Sequence, residues 1–171
     1  MNSLLDRYSN SKNWQTIVMF VLGFWLSSSV VLDAVILPSL YGTGMMSRGD
    51  FATMGYVVFG IFNRVELLCA ALAIVGVLIL HSYHHLSDRQ DRFSLILSGV
   101  LFAIALIYTY ILTPQMSGLG MQLDLFSPTP NAMPPTMMAM QMGYFGLEAV
   151  KLLAGLTLLR WLYSKAVVNH S

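Results

Sequence analysis

The stretch VELLCAALAIVGVLIL, residues 65–80, decides the fold. After Glu66 it holds neither a charge nor a proline. Extended back to Tyr56, it supplies the about 20 apolar residues that a helix needs to cross a bilayer. No water reaches the backbone at that depth, so a helix that satisfies its own hydrogen bonds is the structure that fits.

Working outward, three further runs have the same character: 14–37, 93–112 and 144–162. With 56–80 and the connecting loops they use up the 171 residues. The expected architecture is therefore all-α: an integral membrane, antiparallel four-helix bundle, one membrane domain over 1–171. Pro38 and Pro114 are read as helix ends, because proline lacks the backbone donor and disfavours helix just before it. Long connections are then expected over 38–55 and 114–143. The second contains Ser127-Pro128-Thr129-Pro130-Asn131 and Pro134-Pro135, turn-forming sequence. A signal peptide is the rival reading of the first run, with Ser27 and Ser29 near a cleavage site. The apolar run continues beyond them to Leu37, which favours a span. Small residues suited to close helix packing are Gly23 and Ser27, Ala70 and Ala73, and Gly143 and Gly146.

Composition agrees. The chain is 56% hydrophobic and 10% charged, with a mean hydropathy of +0.66. An average soluble domain carries roughly 25% charged residues. A net charge of +1 leaves no basic footprint for nucleic acid. The single cysteine, Cys69, cannot form an internal disulfide.

Lysine and arginine in the loops set the orientation. Arg7, Lys12, Arg89, Arg92, Arg160 and Lys165 fall on one side and only Arg48 on the other. Both termini are expected in the cytoplasm, in a bacterial inner membrane or a related internal membrane.

Ionisable residues inside spans are costly, which makes them functional suspects. Here they are Asp33, Arg64, Glu66, Glu148 and Lys151, with Asn63 on the Glu66 face. The alternating direction of the spans places them at similar depth, in the half away from the cytoplasm. Glu148 and Lys151 are three apart and can pair on one helix face. Arg64 is expected to pair with Asp33 or Glu148. Three acids against two bases leave one negative charge, to be met by a proton, a cation or solvent. A buried ion network that only fixes helix register would produce the same pattern.

Of the 12 methionines, all but Met1 and Met19 fall at or beyond the non-cytoplasmic ends. Thioethers are soft ligands that select Cu(I). Met137, Met138, Met140 and Met142 are the candidate metal ligands, with copper as the cofactor they would take. The plainer reading is that methionine fills irregular gaps and makes adaptable apolar contacts. His81 and His85 share a helix face at the cytoplasmic end of the second span, beside His84, and read as an interfacial polar cap. No histidine lies mid-span, which disfavours a haem held between helices. Tyr83, Tyr108, Tyr110, Trp161 and Tyr163 suit aromatic belts at the membrane surface.

Several short motifs resemble the transmembrane-protein-205-like family, domain of unknown function 4149. They are Leu37-Pro38, Arg48 with Phe51, and Gly60, Ile61 and Phe62 in the second span. Thr113-Pro114-Gln115-Met116 and Tyr144-Phe145-Gly146-Leu147 complete the set. The family often has a histidine where this chain has Phe145, and a small polar residue where it has Glu148. The resemblance implies four spans and no established enzyme activity. It also implies a link between the methionines and tolerance of soft metals. The expected function is a small non-enzymatic accessory or assembly subunit. Its lipid-embedded surface, methionine-rich loops and polar cluster would dock a membrane-protein partner or a second copy. The other expectation is transport of a soft metal, cation or proton lined by Asp33, Glu66 and Glu148.

Overall fold

The computed structural model describes residues 2–42, 51–83, 89–126 and 135–168. Met45, Met46, Arg48, His84, His85, Met133 and the 127–131 run lie outside them. Every element among the described residues is helical. Helix α1 covers Asn2–Val31, and after a π-helical turn at Leu32–Ile36 the same rod continues as α2, Leu37–Gly42. Helix α3 covers Phe51–Tyr83. Helix α4, Arg89–Ile107, passes through a second π-helical turn at Tyr108–Leu112 into α5, Thr113–Phe126. Helix α6 covers Pro135–Val168.

Four segments are long and apolar enough to cross a bilayer: Asn13–Ser39, Gly55–Ser82, Arg92–Leu119 and Met138–Ser164. Their outward faces carry Phe20, Leu68, Tyr110 and Leu153, each at least 66% exposed. Such a surface belongs against lipid.

Neither Pro38 nor Pro114 ends its helix, contrary to the sequence expectation. In an α-helix a proline ring strikes the carbonyl four residues back and leaves it without a donor. Each π turn ends two residues before its proline. The Leu37 N–H bonds to the Leu32 carbonyl, and the Thr113 N–H to that of Tyr108, five residues back in both cases. The extra residue widens the turn and moves the facing carbonyls away from the ring. Downstream, Ser39 donates its hydroxyl to the Val35 carbonyl at 2.6 Å. The long connections read from the sequence are thereby partly converted to helix: α2 and α5 occupy their starts, and Pro135 begins α6. Proline suits the first helical position, where the missing donor costs nothing.

Helices α1 and α4 each pack against both α3 and α6, so the rods form a ring with antiparallel neighbours. Gln15 donates to the Leu162 carbonyl, 2.6 Å, and the Phe93 and Trp161 rings meet edge to face. These contacts mark the terminal end of the bundle. Contacts of Asp33 with Tyr144 and of Asn63 with Thr113 mark the opposite, proline end.

One seam of buried residues on each of α1, α3 and α6 recurs at alternating spacings of three and four. On α1 they are Gln15, Val18, Leu22, Trp25 and Ser29, continuing to Leu32. On α3 they are Asn63, Glu66, Ala70, Ala73 and Val77; on α6, Glu148, Lys151, Gly155, Leu158 and Leu162. That period of 3.5 keeps one seam of each helix facing the bundle axis. The core is apolar toward the terminal end, around Val18, Leu22, Ala73, Leu101 and Leu158.

Ala70 and Ala73 are fully buried, as close packing requires. Gly23, Gly143 and Gly146 have open space where a Cβ would stand, so the other two small-residue pairs make no close approach. The close approaches occur elsewhere. A Cβ on Gly76 would run into Val18, and one on Gly155 would lie 2.6 Å from Leu26 Cδ2.

Candidate functional site

The seam residues change character toward the proline end. Glu66 comes from α3 and Lys151 from α6, the two helices that face each other across the ring. Their side chains are 2% and 1% exposed. Lys151 Nζ lies 2.5 Å from Glu66 Oε1 and 2.7 Å from Glu148 Oε2. The Glu148 contact spans three residues on one helix, as the sequence predicts. The Glu66 contact crosses the bundle.

Glu66 Oε1 also accepts from Trp25 Nε1, 2.9 Å, and from Ser29 Oγ, 3.0 Å, both on α1. Three donors on one oxygen suit an ionised carboxylate, which can only accept. The ammonium lies 5.3 Å from the centre of the Tyr108 ring and 6.0 Å from that of Trp25. Aromatic faces attract a desolvated cation electrostatically. Glu148 Oε2 accepts a further bond from Tyr108 Oη, 3.1 Å. Tyr144 stacks on Tyr108 with centroids 5.0 Å apart and donates its hydroxyl to Asp33 Oδ1, 3.3 Å. Asp33 is half-buried and stands in the first π turn.

Asn63 stands beside this group. It donates to the Thr113 hydroxyl and, at 3.4 Å, to the Tyr108 carbonyl. That carbonyl belongs to the second π turn, so the side chain of α3 ties down the distorted part of the third rod. Thr109 returns a bond to the Asn63 carbonyl at 3.3 Å.

Of the polar residues singled out from the sequence, Asp33, Glu66, Glu148 and Lys151 come together, with Asn63 adjoining. Arg64 does not join them. It is exposed on the same side of α3 as Ile61, Val65 and Leu68, and no ion pair links it to the described residues. The cause is helical geometry: Asn63 and Glu66 share the inward face, and Arg64 is turned about 100° from Asn63. A long arginine stem on a lipid face carries its charge toward the membrane surface. The expected pairing of Arg64 with Asp33 or Glu148 is therefore incorrect. Without Arg64, the cluster holds three acids and one base.

Tyr108 is 1% exposed and belongs to the cluster, not to an aromatic belt; Tyr110 and Tyr163 do face outward. Trp25, Ser29 and Tyr144 are site residues that sequence reasoning passed over. The available signal was spacing: Trp25 and Ser29 continue the seam of α1, and Tyr144 precedes Glu148 by one turn.

Met138 and Met142 lie apart from the cluster. They are 59% and 72% exposed, one turn from each other on α6. Met140 is half-buried, and Met137 lies on the same helix. At the other end, His81 is exposed.

Residues 20–123 match the family described as domain of unknown function DUF4149. The chain belongs to that family. The matched stretch contains the first rod from Phe20 onward, all of α3, both π turns and Asp33, Asn63, Glu66 and Tyr108. Helix α6, with Tyr144, Glu148 and Lys151, follows it. No curated protein and no solved structure matches the chain.

Proposed function

We propose that this DUF4149 protein is a non-enzymatic membrane protein that binds and passes protons through the polar cluster at its proline end. One observation carries the reading: Glu66 and Glu148 are buried at the bundle axis, with Asp33 beside them, against the single cation Lys151. Unpaired charge at such a site is expensive, and protonation is the cheapest way to cancel an acid excess. Burial also removes the cluster from any docking surface, which weakens the accessory-subunit reading. The lysine and arginine distribution supports taking the proline end as the one away from the cytoplasm.

The test is a pH-gradient assay on liposomes containing the full chain, with an internal pH dye and valinomycin to clamp the voltage. The gradient should collapse faster than in empty liposomes, and Glu148→Gln should return the rate to that baseline. A wild-type rate equal to the empty liposomes overturns the reading.

A second reading, an accessory subunit that docks a partner helix, draws support from a different surface. Met138, Met142 and Phe145 are exposed on α6, with Gly143 and Gly146 open beside them. Crosslinking in a mild detergent should then capture a larger complex through that face, and capture of a monomer alone would count against it.

A further inference from the structure

Two buried side-chain oxygens among the described residues have no hydrogen-bond partner: Asp33 Oδ2 and Glu148 Oε1. Their carboxyl groups are drawn together by Tyr144, which stands one turn before Glu148 on α6 and donates its hydroxyl to Asp33 Oδ1, 3.3 Å. The other oxygen of each group is committed, Asp33 Oδ1 to Tyr144 and Glu148 Oε2 to Lys151 and Tyr108. Glu148 is only 4% exposed. Two carboxylates this close cannot both ionise cheaply, and neither carries a donor for the other when ionised.

We propose that Asp33 and Glu148 share one proton, held between Asp33 Oδ2 and Glu148 Oε1. The inference rests on the proton reading above and fixes where the proton sits. One proton satisfies both unpartnered oxygens. It also lowers the excess of the cluster from two negative charges to one, with the remainder toward half-buried Asp33.

The titratable and charged groups facing the pair come from every packed rod. Helix α3 contributes Glu66, with Cys69 one turn beyond it, and the second π turn contributes Tyr108. Helix α6 contributes Tyr144 and Lys151. Lys151 contacts Glu66 and Glu148, and among the described residues no hydrogen bond joins it to Asp33. The Tyr144 hydroxyl is directed to Asp33 Oδ1, and the single proton of Tyr108 Oη is shared between Glu148 Oε2 and the Tyr144 carbonyl, both at 3.1 Å. A proton is satisfied by the two oxygens alone, whereas a hard metal cation takes about six oxygen ligands. Among the described residues, no group of three or more histidine, cysteine or acidic side chains is arranged to hold a metal ion.

Infrared spectroscopy of the reconstituted full chain at neutral pH tests this directly. A protonated carboxyl has a C=O stretch separate from that of a carboxylate, and the stretch shifts in deuterated water. The wild type should show one such band. Asp33→Asn and Glu148→Gln should each abolish it, because the new amide N–H stands where the proton stood and the remaining acid ionises. Glu66→Gln should leave it in place. A wild type without the band, or a band that survives either Asp33→Asn or Glu148→Gln, overturns the proposal. If Glu148→Gln does not fold, Asp33→Asn decides alone, since its position is only half-buried. The band with no proton flux in liposomes would sink the transport reading and leave the shared proton standing. Flux without the band would do the reverse.

Discussion

Lys151 is the residue on which the cluster depends most. Its ammonium is the single cation among the buried charges of the described residues and touches two carboxylates from different helices. Lys151→Met keeps the stem and removes the charge. Glu66 and Glu148 are then left buried without a counter-ion, a loss of about 3–5 kcal/mol when one partner of a buried pair is deleted. Trp25→Phe removes only one donor from Glu66, and interhelical hydrogen bonds in membranes average about 0.6 kcal/mol. Thermal unfolding in detergent should therefore rank Lys151→Met well below Trp25→Phe. Equal midpoints for the two variants would show that the ion pair contributes little beyond a neutral bond. Adding Glu66→Met to Lys151→Met should recover part of the loss, because it removes one of the stranded charges as well.

At the scale of the element, the π turns explain how a proline can lie inside a span. Each turn is equivalent to one extra residue in an α-helix, so deleting one residue there should restore α geometry without shifting the flanking registers. Deleting Ile111 together with Pro114→Ala should give a folded protein. Deleting Ala103 instead turns everything after it by about 100°, moving Tyr108 off the bundle axis. Helix content by circular dichroism and a monodisperse gel-filtration peak should survive the first change and not the second. If both deletions behave alike, the π turns do not absorb register.

The existence of four spans was legible from residues 65–80 and their like, because apolar length alone selects a spanning helix. The convergence of Asp33, Glu66, Glu148 and Lys151 was legible too, since alternating span direction fixes depth. The direction each side chain faces was not. Arg64 and Glu66 lie at one depth, and only the 3.5-residue seam separates inward from lipid-facing. The helical path through Pro38 and Pro114 was hidden as well. Proline is read locally as a break, whereas the compensating π turn is a property of the packed rod.

At the scale of the whole molecule, the described residues set the polar cluster at one end of the bundle axis and an apolar layer next to it. Asp33 is half-buried near the proline end, and Glu148, Glu66 and Lys151 follow along the axis. Beyond them the axis is filled by Leu22, Ala73, Leu101 and Leu158, all fully buried and apolar. Polar side chains return only near the terminal end, with Gln15, Ser94 and Ser98. A proton leaving the cluster toward that end meets a packed layer with no group to receive it. The described bundle therefore offers no continuous path, and any crossing requires the rods to rearrange, on the μs–ms scale of helix motions. Proton movement should then follow carrier kinetics. The rate should saturate as the pH gradient grows, and planar bilayers containing the protein should show no unitary current steps under voltage clamp. Discrete current steps would mean that the apolar layer opens to water. Replacing Leu101 by serine tests the layer itself: a hydroxyl there should raise the proton leak, while leaving the infrared signature of the Asp33–Glu148 pair unchanged.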